Sequence, residues 1–363
     1  MERRKKPEFE FPSLTPHEIH RQLDRFIIGQ ERAKKVLSVA VYNHIKRLKD
    51  ETGLIKKSNI LLAGPSGCGK TLIAKTLAKI LSVPFVICDS TSLTEAGYVG
   101  DDVEICLQRL LDAADGDLEL AQKGIIYLDE IDKIAKLGKN RSITKDISRE
   151  GVQAGLLKLI EGFEVSVPVN RRRRHSHGEN ITFDTSNVLF ICGGAFDGLF
   201  KMEAEKTVGF GKRSDFKVIK TEESMNKQLT PKALQKYGLI PELIGRLPIL
   251  CALTELNEDD LVRILTEPED SITKEYELLF SKDDVILKFE DEALKEVARL
   301  AIDRNTGARG IRSILEDILI DIMYDLPDRT DVTECIITKE TVKTKIPVLT
   351  EEKHPTKSCI HNA

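Results

Sequence analysis

The stretch "NILLAGPSGCGKTLIAKTLAKIL", Asn59 to Leu81, decides the fold. It opens with an apolar run, passes through Gly64 to Thr71, which satisfies G-x-x-x-x-G-K-[ST], and continues with apolar residues at helical spacing. A phosphate-binding loop needs this context of strand before and helix after. The glycines let backbone N–H groups curl round phosphate oxygens, and the start of the helix adds its dipole. Lys70 brings a point charge to the outer phosphates and Thr71 a hydroxyl for Mg²⁺. Nucleotide contacts are expected along Gly64, Pro65, Ser66, Gly67, Cys68, Gly69, Lys70, Thr71 and Leu72.

Similar apolar runs recur: "VPFVICD" (83–89), "GIIYLDE" (124–130), "NVLFICGG" (187–194) and "PILCAL" (248–253). They are continuous, not alternating, and helix-length segments separate them. Strands buried on both faces read this way, so the expectation is an α/β P-loop domain with a parallel five-stranded sheet. The run "IIYLDEIDK" delivers Asp129 and Glu130 at its carboxyl end. Asp129 is placed to hold Mg²⁺ through water, and Glu130 to orient or deprotonate the attacking water. Beside a phosphate loop, the pair points to ATP hydrolysis and not to binding alone.

The composition excludes several other classes. With 55 Lys plus Arg against 59 Asp plus Glu, the net charge of -4 gives no global reason to expect a nucleic-acid or anionic-membrane partner. The 7 cysteines form no C-x-x-C pair, which fits a reduced cytoplasmic compartment and argues against zinc. The basic start "MERRKK" is not followed by an apolar segment, and no run of about 18 apolar residues occurs. Export and membrane spanning are therefore not expected.

Along the chain, residues 1–15 are charged and Pro-punctuated, an expected loose tail. Two helices follow, with Thr15 as N-cap and Pro16 as first helical residue. A large domain is expected over 16–253, a smaller and mostly helical one over 254–347, and a disordered tail over 348–363. The polar stretches Lys136–Arg149, Val169–Glu179 and Lys201–Gln228 are too long for ordinary connections, and such loops are usually functional. "EAGYVGDD", Glu95 to Asp102, suits neither a strand nor a helix interior because of Gly97 and Gly100. Alone it reads as a surface turn. Arg246 in "IPELIGRLP" and Arg309 in "NTGARGIRS" are candidate cations for a γ-phosphate, each equally readable as an ordinary helix-end arginine.

With "FIIGQERAKKVL", "GYVGDDVE", "SREGVQAGLLKLIEG", "FICGGAFDGL", "GLIPELIGRLP" and "TGARGIRS" added in order, the chain resembles the AAA+ ATPases and, within them, the ClpX unfoldase family, over about residues 16 to 345. The resemblance implies a homo-hexameric ring that unfolds tagged or unfolded protein substrates with ATP and Mg²⁺ and feeds them to the ClpP peptidase. It implies that Ile27 and Ile28 line the adenine pocket, that Arg246 is an arginine finger reaching a neighbouring subunit, and that Arg309 is the sensor-2 arginine. Glu130, Arg246 and Arg309 are then the catalytic set. The G-Y-V-G loop would line the central channel, where Tyr98 and Val99 grip polypeptide of any sequence. Arg173, Arg174 and His175, in "RRRRHSH", would stand at the pore entrance, and Lys145 and Arg149 lower in the channel. Val208, Gly209 and Phe210, in "TVGFGKR", would dock ClpP.

Two departures from the family pattern stand out. Full-length members begin with a four-cysteine zinc domain, and no such cluster occurs in this sequence, so a shortened chain without zinc is expected. The strand "VLFIC" ends without the Asn or Thr that many AAA+ proteins use as sensor 1. The rival reading is a nucleic-acid motor or clamp-loader-type ATPase, favoured by the arginine run. The net acidic charge and the absence of aromatics interleaved with those arginines oppose it.

Overall fold

The computed structural model describes residues 11–94, 101–136, 143–168, 180–200, 221–304, 306–329 and 331–351, with the backbone alone at 94, 101, 102 and 143–148. The chain divides into two units, Met1–Leu23 with Gln30–Glu255, and Asp24–Gly29 with Leu256–Ala363.

The first unit is built on five parallel strands in the spatial order Phe85–Asp89, Ile125–Asp129, Leu189–Gly194, Ile60–Ala63 and Ile249–Ala252. Every residue of Ile60–Ala63 and Leu189–Gly194 is buried, as their unbroken apolar runs require. Phe85–Asp89 lies at a sheet edge and is only partly covered; its Ile87 is exposed. The register aligns Ile60 with both Ile191 and Ile249, and Tyr127 with Ile191. Because all five strands run one way, Ala63, Asp129, Gly194 and Ala252 finish at one edge of the sheet. Asn59 and Arg246, which precede strands, belong to the opposite edge. Leu61, Ile126, Leu128, Phe190 and Cys192 join the core beneath the helix that contains Leu156 and Leu159.

Helix Pro16–Asp24 starts where expected: Glu18 N–H donates to Thr15 Oγ1 at 3.3 Å, and Thr15 N–H donates back to Glu18 Oε2 at 2.7 Å. Helix Glu31–Leu48 has no side-chain cap of its own, and the Glu222 carboxylate accepts from Ala33 N–H at 2.9 Å instead. Phe11, in the stretch expected to be loose, is buried.

In the second unit helices Glu258–Thr266, Ile272–Ser281, Asp291–Asp303 and Ala308–Asp325 share a core with a three-stranded sheet; Phe280, Leu294, Ile311, Leu315 and Cys335 are its interior. Two boundaries differ from the sequence expectation. Residues Val348–Glu351, expected to be disordered, form a strand antiparallel to Val332–Ile337; four residues are too few to display a period. Asp24–Gly29 joins the later unit because Arg25 donates to Glu269 Oε2 at 2.8 Å while Glu269 N–H donates to Arg25 carbonyl at 3.0 Å. No hydrophobic pattern announces such a pairing. Among the described residues, no helix is long and apolar enough to cross a membrane.

Candidate active site

Strand Ile60–Ala63 ends in the phosphate loop and helix Lys70–Leu81 begins inside it. Gly67 and Gly69 have φ of 79° and 97°, a left-handed backbone that glycine adopts without strain. Such turns at a helix start allow backbone N–H groups to converge on a bound phosphate. Lys70 is buried, and its Nζ donates to the Gly64 carbonyl at 2.6 Å and the Pro65 carbonyl at 2.8 Å. The ammonium is thus held over the loop by carbonyl dipoles, which a phosphate oxygen can replace with a stronger charge-assisted partner. Ser66 and Leu72 are exposed, whereas Gly64 and Cys68 are buried beneath the loop.

Across from the loop, Thr71 Oγ1 donates to Asp129 Oδ2 at 3.5 Å. The other carboxylate oxygen, Oδ1, accepts from Glu130 N–H at 3.0 Å and from the Tyr127 hydroxyl at 3.3 Å. Glu130 has φ 55°, a left-handed conformation uncommon for a residue with a side chain, and is exposed. Strain of this kind concentrates at functional positions, and here it separates the two acids: Asp129 stays on the loop while Glu130 faces solvent at the strand end. Next in sequence, Asp132 is buried and its Oδ1 accepts from Ala195 N–H at 3.1 Å, joining this corner to the strand ending at Gly194. Lys70, Thr71, Asp129 and Glu130 are therefore gathered at one edge.

Arg246 is not among them. It follows helix Pro241–Gly245 at the amino edge, where its guanidinium pairs with Glu161 at 2.7 Å and remains 55% exposed. Arg149 donates to the Ala135 carbonyl at 3.4 Å; Lys145 lies in helix Ile143–Glu161. Ile27, Ile28 and Arg309 belong to the second unit. Both isoleucines are buried there, and Arg309 is exposed in the first turn of helix Ala308–Asp325. A cation at a helix N-terminus opposes the helix dipole, so Arg309 is not explained as a cap. Tyr98, Val99, Arg173, Arg174, His175, Val208, Gly209 and Phe210 lie outside the described residues.

The profile described as "AAA domain (Cdc48 subfamily)" matches residues 55–250, and "C-terminal, D2-small domain, of ClpB protein" matches 256–338. The "ATP-dependent Clp protease ATP-binding subunit ClpX" of Treponema denticola is 50% identical over 351 residues, 93% of this chain and 85% of that one. The chain belongs to the ClpX family. A second such subunit from Wolinella succinogenes is 50% identical over 341 residues, covering 93% of this chain and 84% of the relative. One from Borrelia duttonii is 51% identical over 337 residues, covering 90% and 78%. Membership makes the chain an AAA+ ATPase that binds nucleotide, and the clamp-loader alternative is not favoured.

Several residues that complete this ClpX-family site escaped the sequence reading. Gln30, buried with φ 58°, accepts through Oε1 from Thr254 N–H at 3.0 Å and donates through Nε2 to the Thr254 carbonyl at 2.9 Å and the loop's Cys68 carbonyl at 3.5 Å. It ties the base of the phosphate loop to the end of the last sheet strand. Asn59 does similar work at the amino edge, donating to the Arg246 carbonyl at 3.0 Å and accepting from Phe190 N–H at 3.2 Å. The only sequence signal for either was a polar side chain beside an apolar run. The six cysteines among the described residues are buried and form no disulfide; burial pushes the Cys192 and Cys251 thiols up to about 12, so both are inert packing groups.

Proposed function

We propose that this chain is the ATP-driven unfoldase subunit of a Clp protease, working in the cytoplasm as a homo-hexameric ring that passes tagged or unfolded proteins to ClpP. The observation that carries the ring is the position of Arg246. Strand Ile60–Ala63 separates it from the phosphate loop, and four residues of strand span about 13 Å. An arginine at the amino edge is badly placed for the nucleotide on its own chain and well placed for that of a neighbour. In this reading each site is completed in trans by Arg246, with Arg309 as a further cation and Ile27 and Ile28 against the adenine.

The donor set suits ATP with Mg²⁺. The Thr71 hydroxyl and Asp129 carboxylate, 3.5 Å apart, are hard oxygen ligands of the kind that Mg²⁺ takes in ones or twos while keeping its waters. When bound, the ion neutralises charge on the phosphate oxygens. Lys70 and the loop N–H groups hold those phosphates, and Glu130 orients and deprotonates the attacking water. Tyr98 and Val99 grip the substrate, assisted by Lys145, Arg149, Arg173, Arg174 and His175, and Val208, Gly209 and Phe210 dock the peptidase. Support for these roles is the family's motif order.

The test is ATP-dependent loss of native fluorescence from a fluorescent protein carrying an unstructured C-terminal tag. The intact chain should unfold it, and Tyr98→Ala should hydrolyse ATP without unfolding it. Equal unfolding by both would remove Tyr98 from the mechanism. ATPase without unfolding by the intact chain would overturn the unfoldase reading.

A further inference from the structure

Strand Ile125–Asp129 is aliphatic up to its terminal Asp129 except for Tyr127, which is fully buried. A buried phenol needs a partner for its hydroxyl, and the surroundings of this one are specific. Tyr127 and Asp129 are two residues apart on one strand, so they project on the same face of the sheet. On the neighbouring strand that position belongs to Gly193. A Cβ there would stand 1.9 Å from Tyr127 Oη and 2.6 Å from Cζ. The strand Leu189–Gly194 therefore gives up a side chain at its carboxyl end, and the phenol of the adjacent strand fills the space.

The hydroxyl donates to Asp129 Oδ1, the oxygen that Glu130 N–H also holds, while Oδ2 is left with Thr71. We propose that Tyr127 is a positioning residue for ATP hydrolysis: from the space opened by Gly193 it fixes the rotation of the Asp129 carboxylate, so that Oδ2 faces Thr71 and the metal. The inference rests on the assignment of Thr71 and Asp129 to Mg²⁺ made above.

The experiment is a binding titration of the full chain with N-methylanthraniloyl-labelled ADP, at increasing Mg²⁺ and separately with a chelator. Tyr127→Phe keeps the ring against Gly193 and removes only the hydroxyl. It should raise the Mg²⁺ needed for half-maximal effect by about tenfold, the usual scale for losing a group that orients a metal ligand. Its binding in chelator and its thermal unfolding should stay those of the parent. In an Asp129→Asn background the tenfold shift should vanish, because the residue acts through that carboxylate. An unchanged Mg²⁺ dependence, an equal loss in chelator, or a shift that persists in Asp129→Asn would each overturn the role of Tyr127. If Asp129→Asn alone leaves the Mg²⁺ dependence unchanged, the metal assignment itself falls, and the inference falls with it.

Discussion

At the carboxyl edge of the five-stranded sheet several polar groups are presented outward beside the buried Lys70 and Asp132: Ser66 and Glu130 are exposed, and Thr71 and Asp129 are half-buried. At the amino edge they are turned inward. Asn59 and His44 are buried, Lys57 donates to the Thr185 carbonyl at 2.8 Å beneath the Phe190 ring, and Arg47 donates to the Ser186 carbonyl at 2.8 Å. The same strands carry both edges, so the difference lies in the connections. One end closes on glycines and a strained glutamate that leave dipoles available to a ligand, whereas the other satisfies most of its polar groups internally, the buried His44 Nδ1 excepted. A substitution at the first edge should therefore act on chemistry and at the second on stability, with Arg246 the exception: an exposed side chain on a structural edge, proposed above to act on a neighbour's site.

Arg246 makes the sharpest break. Arg246→Ala should lower ATPase by about 10³ to 10⁵, the range for losing an arginine finger, and Glu130→Gln should also nearly abolish turnover while nucleotide binding survives. Mixing the two inactive variants distinguishes the edges. If Arg246 serves a neighbour, some sites in mixed rings will combine an intact Glu130 with an intact Arg246 from the adjoining chain, and steady-state ATPase should partly recover. No recovery, with mixed assembly verified, would return Arg246 to its own chain or to a purely structural pairing with Glu161.

Asn59→Ala should leave the carboxyl edge intact and weaken the fold. It removes donors from the Arg246 and Ile160 carbonyls and the acceptor of Phe190 N–H, all at a buried site. Uncompensated groups of this kind cost about 1–3 kcal/mol each before water or local relaxation repays part, so a net loss of about 2–4 kcal/mol is expected in denaturant unfolding. A change under about 0.5 kcal/mol would mean that the amino edge is less tightly sealed than its hydrogen bonds imply.

What could be read from the sequence divides along the same line. The phosphate loop, Asp129 and Glu130 were legible because their chemistry demands particular residue types at fixed spacing beside continuous apolar runs. The five strands and their parallel character followed from those runs. Gln30, Asn59 and Gly193 were not legible, since each matters through a partner 60 or more residues away, as Gln30 with Thr254 and Asn59 with Phe190 illustrate; Tyr127 donates only two residues along, to Asp129, but the space that it fills is opened by Gly193 on another strand. Arg246 was visible as a residue, yet only the fold assigns it to the edge away from the loop. The strand Val348–Glu351 was missed for a different reason: a four-residue edge strand takes its identity from the neighbour that it pairs with.

The smallest effect expected concerns the inward-facing edge and pH. Burial, and secondarily the charges of Arg47 and Lys57, depress His44 from 6.5 to about 3, and its Nδ1 has no hydrogen-bond partner. Between those values the unfolded chain binds a proton that the folded chain refuses, so stability rises with pH across the window and the contribution is complete above 6.5. Acidification from pH 7 to 5 should therefore remove about 2 kcal/mol through this one residue, at about 1.4 kcal/mol per pH unit below its ordinary value. The comparison is with His44→Gln, which cannot titrate: whatever its starting stability, its loss over the same interval should be smaller by that amount. Nucleotide affinity of the folded protein should change equally in both, because His44 acts on the sealed edge and the phosphate loop lies on the open one. Parallel stability curves for the two proteins would show that His44 is already hydrated or partnered in solution, and that the amino edge admits water as the carboxyl edge does.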